Sequence, residues 1–80
     1  MGRESISTAF ARAIRRERIA KGLSQEALAH RAGLHRTYVG LIERGLRNPT
    51  IEVGHALARA LAIPLSDLIR EAEKRAARGG

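Results

Sequence analysis

The sequence predicts an all-α fold: a compact bundle of five helices that forms one domain over residues 1–80. Alanine, leucine, arginine and glutamate, which favour helices, are abundant. The alternation of apolar and polar residues that is typical of a half-buried strand does not occur. Glycines and prolines divide the chain into five stretches, and apolar residues recur within these stretches at helical spacing.

Each predicted helix begins at a capping residue or a proline, and each of the first three ends at a glycine. The predicted bounds, in chain order, are about Ser7 or Thr8 to Lys21, Ser24 as cap to about Ala32, about His35 to Arg44, Thr50 onward, and a start between Pro64 and Ser66 with an end near residue 77. On the apolar face of the fourth helix lies Gly54, which would permit a close approach by another helix.

Residues 24–45 have the organisation of a helix-turn-helix. Two short helices are joined by about four residues that include Gly33, and this is the spacing that the motif requires. Any small helical bundle contains similar turns, so the side chains must decide between a DNA-binding motif and an ordinary bundle.

Two charged residues, Arg18 and Glu43, lie on apolar faces. Arg18 follows Ile14 by four residues and Glu43 follows Val39 by four residues, so each continues the buried stripe of its helix. A buried charge is tolerated only when it is paired and hydrogen-bonded. We therefore predict an ion pair that clamps the third helix against the first. The alternative is that both side chains extend to water at the edge of the core.

The face of the third helix opposite its buried side is predicted to enter a DNA groove. At 100° per residue, the outward and flanking residues are Arg36, Thr37, Tyr38, Gly40, Leu41 and Arg44. Arginine can donate two hydrogen bonds to guanine, and threonine or leucine can contact a thymine methyl group. Arg36 and Thr37 are the leading candidates, because N-terminal residues of a reading helix reach the bases first. For Leu41 the alternative is an ordinary exposed leucine.

Residues at both ends of the motif are predicted to contact the DNA backbone. Gln25 lies in the first turn of the second helix, where its amide and free backbone N–H groups would attract a phosphate. A solvated side chain is the alternative for Gln25. Arg47 and Asn48 follow the third helix and would lie near the flanking backbone. Asn48 can equally serve the turn ahead of Pro49.

The charge balance favours a polyanionic partner. The chain carries 15 Lys and Arg against 8 Asp and Glu, for a net charge of +7. Its only aromatic residues are Phe10 and Tyr38. Because single-stranded nucleic acids are bound largely by stacking on aromatic rings, double-stranded DNA is the favoured partner. A solvated basic surface without a partner is the alternative.

Other function classes lack the residues that they need. The chain has no cysteine, and its three histidines lack metal-ligand spacing, so neither a metal nor a cofactor is predicted. No nucleophile elbow, glycine-rich phosphate loop or close carboxylate pair indicates an enzyme or a small-molecule site. Because no apolar run reaches membrane-spanning length and residues 1–7 lack a signal-peptide core, we expect no membrane partner and a cytoplasmic location.

An apolar stripe on the fifth helix and the turn before it are predicted to form a two-fold dimer interface. The residues concerned are Leu61, Ile63, Leu65, Leu68 and Ile69. The alternative is that the fifth helix folds back onto the first and fourth helices, and we expect both to apply in part. A homodimer would present two copies of the third helix about 34 Å apart, which suits a pseudo-palindromic operator.

The sequence resembles the Cro/cI-type, or XRE-type, helix-turn-helix family of transcriptional regulators. The resemblance covers Arg18–Leu68, which reads RIAKGLSQEALAHRAGLHRTYVGLIERGLRNPTIEVGHALARALAIPLSDL, and its most specific segments are GLSQEALA and YVGLIERGLRNPT. It implies a lambda-repressor-like bundle of five helices. It also implies an ion pair between Arg18 and Glu43 and a phosphate contact by Gln25.

Within that family the sequence is similar to the controller proteins of restriction–modification systems, which are also short. Their third helix often reads Arg-Thr-Tyr and is followed by an IER…RN exit, as it is here. The similarity implies base contacts by Arg36, Thr37 and Arg47, and a contact by Tyr38 to the backbone where the DNA bends. His35 replaces the usual acidic or hydroxyl cap, and Leu41 is bulkier than expected, so both leave the exact DNA sequence open.

Two other functions stay open at this point. The same fold serves antitoxins that repress their own toxin–antitoxin operon. A basic protein-interaction module is the second alternative, since the first helix carries Arg12, Arg15, Arg16 and Lys21 on one face. Few bulky apolar residues oppose that face, which argues against a membrane surface. RNA polymerase is a candidate further partner, because a bound regulator blocks or recruits it.

Overall fold

The computed structural model describes residues 4–78. Five α-helices follow in chain order: α1 Ile6–Ala20, α2 Gln25–Ala32, α3 Arg36–Glu43, α4 Ile51–Ala60 and α5 Leu65–Arg78. No strand occurs within these described residues. The predicted all-α fold and its five helices are therefore confirmed.

The start of α1 differs from the prediction. The helix begins at Ile6, one or two residues before the predicted start at Ser7 or Thr8, because Ser5 is its cap. The Oγ of Ser5 accepts a hydrogen bond from the backbone N–H of Thr8 at 3.1 Å, so Ser7 and Thr8 lie inside the first turn. The other predicted starts agree with the structure to within one residue.

Side-chain caps fix the starts of α2, α3 and α4. Ser24 and Thr50 each accept a hydrogen bond from the backbone N–H three residues later, at 2.9 and 3.1 Å. His35 takes the same role at α3, where its Nδ1 accepts from the N–H of Thr37 at 3.1 Å. An imidazole therefore caps α3 in place of the usual hydroxyl or carboxylate.

The core lies where α1 meets α5 and α3, and where α2 and α4 pack against them. Its largest fully buried side chains are Ile14, Leu28, Val39, Ile42, Leu57, Leu61 and Leu68. Gly54 permits the predicted close approach: a Cβ added there would lie 3.3 Å from Cζ of Phe10. The core thus packs against one face of α3 and leaves the opposite face of this helix open to solvent.

Two of the predicted dimer residues belong instead to this core. Leu61 and Leu68 are 0% and 1% exposed, so neither has surface to offer a second copy. The reason is that α5 folds back onto α1 and turns Leu68 inward. Ile63 and Leu65 are half-buried against the core, and Ile69 keeps 40% of its surface exposed.

The turn after α4 contains a strained residue. Ala62 adopts φ +60°, the only positive φ of a non-glycine residue within residues 4–78. The left-handed region costs an L-residue roughly 1–2 kcal/mol, whereas glycine adopts it freely. Ala62 is also exposed, so its methyl group contributes little to packing.

We expect Ala62→Gly to raise the free energy of unfolding by about 0.5–1 kcal/mol, because relief of strain exceeds the added entropy of the unfolded chain. Ala56→Gly, inside α4, is the matched control and should lower it by about 1 kcal/mol. Urea unfolding followed by circular dichroism measures both. Equal losses of stability in the two variants would contradict the assignment of strain to Ala62.

Candidate nucleic-acid interface

The helices α2 and α3 are joined by the turn of a helix-turn-helix. Gly33 ends α2 in the left-handed conformation, with φ +72°. The backbone N–H of Leu34 donates back to the carbonyl of Ala29 at 2.8 Å, which closes the end of α2. His35 then caps α3. The turn is short and is closed by hydrogen bonds at both ends, so it restricts the angle between α3 and α2.

A buried ion pair holds α3 against α1. The Nε of Arg18 lies 2.7 Å from Oε2 of Glu43, and Nη2 of Arg18 donates to Oε1 of Glu43 at 3.0 Å. The side chains of Arg18 and Glu43 are only 11% and 2% exposed to solvent. Two parallel hydrogen bonds between guanidinium and carboxylate fix both orientation and distance. The structure therefore brings together the two residues predicted to meet.

Two further hydrogen bonds connect this pair to the start of α2. Nη1 of Arg18 donates to the backbone carbonyl of Leu23 at 2.8 Å. Nε2 of Gln25 donates to Oε1 of Glu43 at 3.0 Å. The amide of Gln25 is thus held by the buried carboxylate, a contact that sequence reasoning missed. Its Oε1 faces Gly40, and an added Cβ there would lie 3.5 Å away.

An open groove runs between the start of α2 and the outer face of α3. It is lined by Gln25, Glu26, Arg36, Thr37, Gly40 and Arg44. Four of the predicted contact residues therefore share one surface: Gln25, Arg36, Thr37 and Arg44. Such a surface offers two guanidinium groups, a hydroxyl and an amide to a ligand. These groups can bond both phosphate oxygens and base edges.

The two arginines of the groove have different neighbours. Nη1 of Arg36 lies 3.6 Å from Oε1 of Glu26, and both side chains are well exposed, at 66% and 73%. Nε of Arg44 donates to the carbonyl of Gly40, one turn earlier in α3, at 3.3 Å. The sequence does not predict the proximity of Glu26 to Arg36, because no spacing rule relates a residue of α2 to one of α3.

Three predicted contact residues follow α3 or lie at its flank. The guanidinium of Arg47 lies 5.8 Å from the centre of the Tyr38 ring, within the range of a cation–π contact. Tyr38 is half-buried against the core, so its ring has a fixed base. Asn48 is exposed in the turn before Pro49. Leu41 is half-buried and lies outside the groove lining, in contrast to its predicted outward position.

An apolar groove lies elsewhere on the surface, where the starts of α1, α4 and α5 meet. It has a volume of about 150 Å³, and its apolar lining includes Ile6, Phe10, Ile51, Leu65 and Ile69. Ile51 is 82% exposed, Ile6 48% and Ile69 40%. Sequence reasoning missed Ile51, although it continues the face of α4 that carries Gly54, Ala58 and Leu61.

Neither a metal-binding group of side chains nor a membrane-spanning helix occurs in the part of the chain that the structure describes. Within residues 4–78 no three or more His, Asp or Glu side chains are grouped so that they could hold a metal ion. None of the five described helices has both the length and the apolar character that a bilayer crossing requires.

The geometry defines a helix-turn-helix domain, and comparison with known proteins agrees. The model of the helix-turn-helix family matches residues 14–68. A helix-turn-helix transcriptional regulator of Sinorhizobium fredii is 40% identical over 67 residues, which cover 84% of this chain and 82% of that protein. Control protein C.BamHI of Bacillus amyloliquefaciens is 38% identical over 66 residues, covering 81% and 82%.

A solved structure extends the likeness to three dimensions. The restriction–modification controller protein C.AhdI of Aeromonas hydrophila superimposes with a TM-score of 0.74 and 48% identity, covering 76% of this chain and 92% of that one. The chain therefore belongs to the helix-turn-helix family of DNA-binding transcriptional regulators, of the XRE type, and is not an enzyme.

Loss of the buried arginine should destabilise the fold strongly. We expect Arg18→Ala to lower the free energy of unfolding by about 3–5 kcal/mol, because the Glu43 carboxylate stays buried without its partner. This equals the loss expected for the core truncation Leu57→Ala. Arg16→Ala is the control: it removes an exposed pair with Glu71 and should cost less than about 1 kcal/mol. Thermal melts of the three variants measure the difference, and an unchanged melting temperature for Arg18→Ala would contradict the clamp.

Proposed function

We propose that this protein is a sequence-specific regulator that binds double-stranded DNA as a homodimer and places α3 in the major groove. The observation that carries the proposal is the groove between α2 and α3, where the exposed residues Arg36, Thr37 and Arg44 share one surface with Gln25. A single α-helix fits the major groove of B-form DNA. The buried pair and the capped turn hold α3 rigidly, as a reading helix requires.

Base reading falls to the outer face of α3. Arg36 and Thr37 lie in its first turn, which reaches base edges first. Arg44 and Arg47 follow at its C-terminal end and beyond, and they extend the contact along the groove. Leu41 contributes a smaller apolar contact at most, since it is half-buried.

Backbone contacts fix the position of α3 on the duplex. Gln25 lies in the first turn of α2, and its amide is oriented by Glu43. The helix N-terminus adds free N–H groups and a partial positive charge, both of which favour a phosphate. Tyr38, with the guanidinium of Arg47 over its ring, and Asn48 in the following turn form a second set of contacts.

The dimer interface is assigned to the apolar groove at the starts of α1, α4 and α5. Ile6, Ile51 and Ile69 expose their side chains around it. A second copy is the occupant that suits it, because a two-fold axis places the same apolar patch on both partners. Ile63 and Leu65 can join from the rim, whereas Leu61 and Leu68 belong to the core.

The regulated genes are proposed to be those of a restriction–modification system. C.BamHI and C.AhdI, two proteins of similar length, are named as controllers, and C.AhdI shares nearly half of the aligned residues. Binding in the cytoplasm upstream of such genes would block or recruit RNA polymerase, depending on where the operator lies. Selection of duplexes from a random pool would give the operator, and restriction and methylation genes beside this gene would support the role.

Substitutions of Arg36 and of Gln25 distinguish the reading of bases from contacts to the DNA backbone. We expect Arg36→Ala to weaken operator binding by about 1–3 kcal/mol and to relax the preference at one base position. Gln25→Ala should weaken all duplexes alike, because a phosphate contact carries no sequence information. Fluorescence anisotropy with the selected operator and its single-base variants measures both. If Arg36→Ala left the ratio of specific to non-specific affinity unchanged, α3 would not be the reading helix.

Ile51→Asp tests the dimer. The carboxylate suits the N-terminus of α4, so the protomer should stay folded while the apolar interface is lost. Sedimentation should show a dimer for the wild type and a monomer for the variant. Ile19→Lys, an exposed residue near the C-terminal end of α1, is the control and should remain dimeric. A wild-type chain that stays monomeric at high micromolar concentration would contradict the interface.

A further inference from the structure

Among the described residues, Glu26 is the single carboxylate in the lining of the groove between α2 and α3. Its side chain is 73% exposed and faces the surface that would meet phosphate. A negative charge there opposes binding to a polyanion, since affinity for duplex DNA comes mainly from cations placed against phosphates. The carboxylate therefore requires an explanation other than affinity.

The neighbour of this carboxylate is Arg36. Their closest atoms, Oε1 and Nη1, are 3.6 Å apart, and both side chains are largely exposed. An exposed pair of this kind contributes little to folding stability. Its effect falls on the conformation of the arginine, because a free arginine side chain samples many rotamers and binds whichever anion is nearest.

We infer that Glu26 is a positioning residue that restrains Arg36 and keeps its guanidinium from the phosphates, so that sequence specificity rises at the expense of non-specific affinity. This rests on the proposed reading role of Arg36. On a wrong sequence the arginine finds no guanine, and its alternative partner is a backbone phosphate. The carboxylate competes with that phosphate. On the operator, guanine O6 and N7 offer two well-oriented acceptors that replace the single exposed contact with Glu26.

Glu26 has a second effect, on the end of α2, and the test must distinguish this effect from a restraint on Arg36. It lies in the first turn of α2, where an acidic residue also interacts favourably with the helix N-terminus. Glu26→Gln removes the charge. Glu26→Asp keeps the charge and its helix-end effect, but its shorter side chain withdraws the carboxylate from Arg36. A restraint on Arg36 is lost in both variants, whereas a pure helix-end or charge effect is lost only in the first.

The experiment measures the affinity of the full chain for its selected operator and for a random duplex, by anisotropy at several salt concentrations. For Glu26→Gln we expect non-specific affinity to rise about two- to fivefold, with little gain on the operator, so the specificity ratio falls by a similar factor. The salt dependence of non-specific binding should steepen by about one counterion, as Arg36 gains a phosphate contact. Glu26→Asp should also lower the ratio. Glu73→Gln, an exposed carboxylate on α5, should leave the ratio unchanged.

The same substitution in an Arg36→Ala background decides the mechanism. If Glu26 acts through Arg36, Glu26→Gln then changes specific and non-specific affinity equally and the ratio stays constant. If the ratio falls as much without Arg36, Glu26 reads a base itself, as carboxylates do with the cytosine amino group, and the inference is overturned. An unchanged ratio in the wild-type background overturns it as well. A wild-type protein without preference among duplexes would overturn the proposed function too, so the two failures are distinguishable.

Discussion

The geometry of the groove between α2 and α3, which is the proposed reading surface, depends on the buried pair of Arg18 and Glu43. The pair joins α1 to the end of α3, and through Leu23 and Gln25 it also joins both to the start of α2. Removing two charges from water is costly, and a pair of this kind adds little net stability over apolar residues of the same volume. The contribution of the pair is to the orientation of α3. Two parallel hydrogen bonds allow one orientation of α3, whereas an apolar contact would allow α3 to rotate or slide.

Gly40 shows how closely the reading helix and the clamp are fitted. The amide of Gln25 extends over α3 to reach Glu43, and its Oε1 lies 3.5 Å from where a Cβ of Gly40 would stand. A methyl group could be accommodated at that distance, but a longer side chain would displace the amide. Gly40 lies on the face of α3 that is predicted to enter a DNA groove, and it also gives room to the side chain of Gln25. The pair of Glu43 with Arg18 fixes the position of α3. The hydrogen bond from Gln25 to Glu43 fixes the side chain that is proposed to hold the phosphate.

Much of this could be predicted from the sequence, because local rules govern it. Capping residues and glycines gave the helices, and the i+4 continuation of two apolar stripes placed Arg18 opposite Glu43. Periodicity could not say which neighbour covers an apolar face, so Leu61 and Leu68 were assigned to a dimer and proved to be core. The contact of Glu26 with Arg36 joins two helices, and no spacing rule reaches across the turn.

The basic charge of this molecule is spread over several elements and is not confined to the groove between α2 and α3. Four arginines and one glutamate lie on α1, and two of these arginines, Arg12 and Arg16, pair with Glu4 and Glu71. Among the described residues, the groove itself contains two arginines: Arg44 is bonded to its own helix, and Arg36 lies 3.6 Å from Glu26. Long-range attraction brings a duplex to a basic protein quickly and without regard to sequence. Discrimination between DNA sequences instead needs few cations at the bases. Each of these cations must be held so that it forms good hydrogen bonds only with the correct base. A chain of this size can meet both demands, because most of its cations lie outside the groove, while the few arginines proposed to read bases lie in it or beside it.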